Sequence, residues 1–123
     1  MSAFVEIAEV EPQRIWDGVV ARALNGERVT LAVIELEPRC LLPEHHHVNE
    51  QVGILVQGSL ELTVGGETRT MRPGTMWRIL ADVPHEARTG PDGAVVVEVW
   101  SPVRSDWEEL EAQPPDAPRW PPG

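Results

Sequence analysis

The chain is written in short apolar runs punctuated by turn residues. Residues 4–7 alternate apolar and polar positions, the period of an extended strand. Residues 19–24 are mostly apolar and run into Asn25-Gly26, a strong two-residue hairpin signal. Residues 29–36 return as a β-branched run that Pro38 closes. Residues 52–57 form the next run, ending at Gly58. Leu60, Leu62 and Val64 then alternate with Glu61 and Thr63, the mark of a half-buried strand. Gly65-Gly66 and Pro73-Gly74 bracket a short segment at 68–71, and residues 76–80 and 94–100 complete the set. Strands at such short spacing, with turns between them, predict an all-β sandwich or barrel. The pattern then changes: residues 106–112 read as a short helix capped by Ser105 or Asp106. Residues 114–123 hold five prolines and read as extended or disordered.

Composition narrows the functions. A chain of 123 residues makes one domain with a real core. A net charge of −10 argues against nucleic acid and against anionic membrane surfaces, which both call for basic patches. All ten basic residues are arginine. A lysine Schiff base, a lysine general base and a phosphate-binding P-loop are therefore excluded, and anion recognition falls to Arg. With Cys40 alone there is no intrachain disulfide, as expected in a reducing compartment. The first residues show neither a basic nor an apolar signal-peptide region, and no run reaches a membrane span. These features together predict a cytoplasmic location.

The four histidines are concentrated: His45, His46 and His47 are consecutive, and His85 follows Pro84. On an extended strand, residues two apart share a face. His45 and His47 thus form a ready-made imidazole pair for a metal, while His46 faces away and Glu50 points to solvent, away from its neighbour Gln51.

These residues resemble the two motifs of the cupin superfamily, G(X)5HXH(X)3,4E(X)6G and G(X)5PXG(X)2H(X)3N. His45 and His47 fill HXH, Gln51 falls at the Glu position, and Gly58 is the closing glycine; Arg39 replaces the first. In the second motif Gly74 and His85 fit, while Leu80, Asp82 and Thr89 replace Pro, Gly and Asn. The resemblance implies a double-stranded β-helix, the cupin jelly roll, at residues 28–104, with N-terminal strands at 1–27 and the short helix and Pro-rich tail at 105–123. It also implies a metal on His45, His47, Gln51 and His85. The stretch Glu98-Val-Trp100-Ser-Pro-Val-Arg104 is similar to the D-V-F-S-P-P-R stretch of KdgF-type cupins, which linearise 4,5-unsaturated uronates. That likeness implies Glu98 as catalytic acid, Trp100 as substrate-binding aromatic, and Arg104 as catalytic and substrate-binding residue.

Three neutral imidazoles and an amide oxygen leave a divalent ion its full charge. They suit one transition metal, Zn, Ni, Fe, Mn, Co or Cu, and not Mg or Ca. A metal that only staples the barrel is the plainer alternative. Glu98 and Trp100 share one strand face, with Val95, Val97 and Val99 on the other. A buried Glu98 would have a raised pKa, which suits a general acid; otherwise it lies on an exposed edge. Arg104 is a carboxylate clamp or a surface ion-pair partner. Trp16, Trp77 and Trp107 read as core or interface, Trp120 as exposed, and Cys40 as a buried small residue. The expected function is linearisation of a small anionic sugar such as a 4,5-unsaturated uronate. The alternatives are a three-His dioxygenase, a polyketide-cyclase-like or lyase activity, and a non-catalytic module binding a carboxylate or sugar-like small molecule. An N-terminal strand and a Val-rich edge point to a homodimer.

Overall fold

The computed structural model describes residues 2–114 and 116–122. Eight strands follow one another: β1 (Gln13–Trp16), β2 (Val19–Asn25), β3 (Thr30–Leu36), β4 (Leu41–His45), β5 (Glu50–Val64), β6 (Glu67–Met71), β7 (Met76–Ile79) and β8 (His85–Ser101). Two long strands organise the rest. The first half of β5 pairs with β7 and its second half with β6. The first half of β8 pairs with β4 and its second half with β3. Since β5 and β8 also pair with each other along their whole length, both pass from one layer to the other. One layer runs β1-β2-β3-β8-β5-β7 and the other β4-β8-β5-β6, all antiparallel, which is the jelly roll expected from the sequence.

The change of layer needs irregular backbone. The β5–β8 register shifts between Leu55 and Gln57 and again between Gly58 and Leu60. Gly58 (φ 85°) and Gly93 (φ 70°) lie at this bend, and a Cβ on Gly58 would sit 2.1 Å from the Gly93 carbonyl oxygen. Side chains such as Leu55, Ile34, Leu36, Val19 and Val96 fill the space between the layers.

Several local expectations give way. Residues 4–7 form no strand: Phe4 is 88% exposed, and a 3-10 turn occupies Ile7–Glu9. Four alternating positions with no sheet edge to join do not hold a strand. The separate strands expected at 52–57 and 60–64 are one, β5, because Gly58 makes a bulge and not a turn. Strands β1 and β4 appear where Pro and His obscured the alternation. The expected helix at 106–112 is a 3-10 helix, Ser105–Glu109, with Arg104 in the N-cap position and no side-chain cap. The Val-rich segment is no edge: β8 is central, flanked by β3 and β5.

The described residues of the tail are fastened down. Gln113 N–H donates to the Pro12 carbonyl, and Trp120 is half-buried, not exposed. Arg22, whose side chain is 1% exposed, pairs with Glu35 at 2.6 Å and with Asp116 at 2.7 Å. Glu35 also accepts from Arg119, through the backbone N–H at 2.9 Å and Nε at 3.2 Å.

Candidate metal centre and buried acid

His45 is the last residue of β4, and His47 lies just beyond the strand. The two-residue spacing still brings the rings together, with centroids 5.8 Å apart. His85 opens β8 directly opposite His45 in the β4–β8 ladder, and their rings are 4.2 Å apart. One ligand nitrogen from each of the three histidines falls within 4.8 Å of the others. His46 is exposed and lies 3.6 Å from Asp82.

The same device orients all three rings. His45 Nδ1 contacts the Pro43 carbonyl at 2.9 Å, His47 Nδ1 the Asn49 carbonyl at 2.8 Å, and His85 Nδ1 the Val83 carbonyl at 2.9 Å. A carbonyl oxygen only accepts, so each Nδ1 is the donor, and each neutral ring keeps its Nε2 lone pair for the common centre. Burial holds the His85 pKa down to about 4; burial first, then the Arg104 charge, lowers that of His47. Both rings are neutral at pH 7. Three converging imine nitrogens, each left free by the carbonyl that its Nδ1 meets, fit a divalent transition metal.

Beside them lies a buried hydrogen-bonded chain. Trp100 Nε1 donates to Gln51 Oε1 at 3.1 Å, Gln51 Nε2 donates to Glu98 Oε2, and Trp77 Nε1 donates to the same oxygen at 3.1 Å. Register explains the juxtaposition: Gln51 lies opposite Trp100, and Gly53 lies opposite both Trp77 and Glu98. A Cβ on Gly53 would come 2.6 Å from Trp77 Cζ2 and 2.8 Å from Glu98 Cγ. The missing side chain leaves room across the strand, and the indole and the acid fill it. An indole N–H can only donate, which fixes the Gln51 amide oxygen toward Trp100.

Glu98 is 7% exposed, so it is no edge residue. Burial pushes its carboxyl up to about 7, against the two donors and the more distant Arg104 charge, which act the other way. Both donors end on Oε2, so the proton of the neutral acid sits on Oε1.

Arg104 follows β8 with its side chain 12% exposed. Its Nε and Nη2 donate to the two Asp106 oxygens at 3.0 and 2.8 Å, and its guanidinium lies 4.6 Å from the Trp107 ring centroid and 5.7 Å from that of Trp100. It is an ion-pair partner and a cavity-lining residue at once. The cavity has about 90 Å3 open to a water-sized sphere. His45, His47, His85, Gln51, Glu98 and Arg104 all reach it. Trp16, Trp77 and Trp107, expected as core or interface, line it too. No pattern in one sequence marks them, because register and the 3-10 turn bring them there. Cys40 stays outside; burial, then Glu37 and Asp17, raises its pKa, so the thiol is protonated and a poor nucleophile.

A jelly roll that gathers three histidines from the end of one strand, the segment just after it and the start of its paired neighbour defines a class, and the sequence places the chain in it. Residues 32–101, more than half of the chain, match the cupin domain family, and the protein belongs to that family. The pectin degradation protein KdgF of Dickeya dadantii (strain 3937) is 26% identical over 65 residues, covering 53% of this chain and 59% of that protein. Among solved structures, an RmlC-like cupin from Shewanella frigidimarina NCIMB 400 matches with a TM-score of 0.79 at 22% identity, over 86% of this chain and 96% of that one. KdgF from Halomonas sp. matches with a TM-score of 0.78 at 22% identity, over 86% and 98%. Among the described residues no helix is long and apolar enough to cross a membrane.

Proposed function

We propose that the protein is a metal-dependent cupin isomerase that linearises a small anionic sugar, a 4,5-unsaturated monouronate. The observation that carries this reading is Glu98: a buried carboxyl with a pKa near 7, held by Gln51 and Trp77 in the cavity that the three histidines and Arg104 also line. The similarity to KdgF supplies the substrate class.

His45, His47 and His85 would hold the metal. Gln51 would be the fourth ligand through the second lone pair of its amide oxygen, the first being taken by Trp100. When bound, the metal supplies a Lewis acid for the sugar oxygens. Arg104, steadied by Asp106 and two indoles, binds the substrate carboxylate, and Trp100 walls the ring. In the reaction the C1–O5 bond of the hemiacetal breaks. C1 becomes an aldehyde, its hydroxyl proton passes to O5, and C5 is left as an enol. Glu98 delivers a proton to C4, and the enol proton returns to the medium or to Glu98, giving the C5 ketone with no atom gained or lost.

The test follows the conjugated enol-ether absorbance of 4,5-unsaturated galacturonate. Metal-loaded protein removes it faster than the spontaneous rate, and Glu98→Gln keeps the metal and loses turnover by about 10²-fold or more. Unchanged turnover in Glu98→Gln would sink the role of the acid; no turnover by the metal-loaded wild type would sink the substrate.

A second reading has its own support: among the described residues the cluster of converging metal-binding groups is three histidines with no carboxylate. A three-His dioxygenase would consume dioxygen with iron bound and not with zinc.

A further inference from the structure

Four of the five tryptophans line one cavity, and three of them have a structural task. Trp77 and Trp100 donate to Glu98 and Gln51, while Trp107 packs edge-on against Trp100 and under Arg104. Trp16 takes no part in that network. It lies at the end of edge strand β1, is 37% exposed, and has its ring 5.3 Å from that of His45. Consecutive strand residues normally face opposite ways, yet Ile15 and Trp16 both reach the cavity. The β1–β2 register breaks between Arg14 and Trp16, and this irregularity turns the indole inward. The chain thus bends its edge strand to place a large, half-open aromatic face at the mouth, against a metal-site imidazole.

Resting on the uronate reading, we infer that Trp16 is the platform on which the closed sugar ring lies, and that it sets the preference for ring over open chain. Trp100, which walls the site, is 2% exposed and committed to Gln51 and Trp107, whereas Trp16 offers an open face. The polar groups, a guanidinium, a carboxyl, an amide and three imidazoles, recognise charge and oxygen. None of these distinguishes a six-membered ring from the same atoms uncoiled. An indole face does. The C–H face of a pyranose ring covers it, removes apolar surface from water and meets its electron-rich π system. The open-chain product has no flat face to offer, so the contact is kept through the transition state and lost only once the chain uncoils, and the product leaves more easily than the substrate.

The experiment uses the full metal-loaded chain and two unreactive probes that share a carboxylate: galacturonate, a ring, and galactonate, an open chain. Affinities are read by ligand-observed NMR titration. Wild type favours galacturonate. Trp16→Ala weakens galacturonate about fivefold to tenfold and leaves galactonate unchanged. Trp16→Phe, which keeps an aromatic face, restores most of the loss. With the unsaturated uronate, Trp16→Ala raises KM by the same factor and holds kcat within about twofold. Equal weakening of both probes, or none, overturns the inference, as does a Trp16→Phe variant no better than Trp16→Ala. If wild type turns over the uronate and Trp16→Ala leaves KM unchanged, the inference falls and the function stands. If wild type binds neither probe and turns nothing over, both fall together.

Discussion

At the scale of single residues, a missing side chain shapes the site as much as those present. Gly53 keeps a regular strand conformation, and its service is space: Trp77 and Glu98 meet across it. Gly53→Ala would force the indole and the acid apart. Overpacking of this kind costs about 1–3 kcal/mol of stability, and a displaced acid costs on the order of 10²-fold in kcat. Thermal unfolding and turnover of the variant check both. Burial also acts on two titrating groups with opposite sign. In metal-free protein Glu98 goes from its ordinary 4.5 up to about 7, so its share of stability is whole below pH 4.5 and is lost as pH rises to 7. His85 goes from 6.5 down to about 4, so its share is present above pH 6.5 and is lost as pH falls toward 4. Between pH 4.5 and 6.5 the two gradients oppose. Glu98→Gln removes only the first, so the variant's unfolding free energy should climb with pH more steeply than wild type by about 1.4 kcal/mol per pH unit. Denaturant melts of chelated protein measure this, and parallel curves would contradict it. The histidines were legible as residues, but their tautomers were not, because each depends on a carbonyl two positions away that only the folded backbone aims. The glycine substitutions in the motifs have a similar history. Arg39 (φ 52°) and Asp82 (φ 62°) stand where cupins carry glycine, and the backbone keeps the left-handed conformation at both.

At the scale of elements, the alternating segments told the truth about strands inside the sheets and failed at their margins. The runs 19–24, 29–36 and 76–80 match β2, β3 and β7 closely, because one face of each meets the core. The margins were misread for a physical reason: whether residues 4–7 or 13–16 become a strand depends on which finds an edge, and β2 offers its edge to Gln13–Trp16. The proline tail is the larger surprise. Its composition promised no core contact, yet Glu35 on β3 gathers Arg22 and Arg119 and ties the tail to the sheet. Removing that carboxylate leaves the Arg22 guanidinium buried with only the exposed Asp116 as counter-charge. Glu35→Ala should therefore cost about 3 kcal/mol, and limited proteolysis should show earlier cleavage beyond residue 113. Stability within about 0.5 kcal/mol of wild type would show the latch to be ornamental.

At the scale of the whole molecule, the Val-rich strand left open whether Glu98 is buried, which the central place of β8 decides, whereas the fold could be read from strand spacing and from the two histidine motifs. The aromatic wall could not, since its members come from β1, β7, β8 and the 3-10 turn after β8. The outer face of the larger layer bears on assembly. Leu24, Leu31, Val99 and Val52 lie in one cross-strand row, and Val33, Val97, Ile54 and Met76 in the next. Several of these are well exposed, Met76 at 74%, Leu24 at 47% and Val52 at 46%. We propose that two copies cover this face in a homodimer, in place of the edge that the sequence pointed to. Light scattering should give twice the mass of a single chain, and Val52→Asp should return it to one; a wild-type monomer at high micromolar concentration would rule this out.

The position of β8 in the sheets has a consequence for the chain's synthesis. β3, β4 and β5 all hydrogen-bond to β8, and β8 spans His85–Ser101. Neither layer can close until that late strand has been made, so the earlier strands wait on the ribosome with their edges bare. The jelly roll cannot close before residue 101 has been made, and the nascent chain before residue 85 is the form a cell must shield from aggregation.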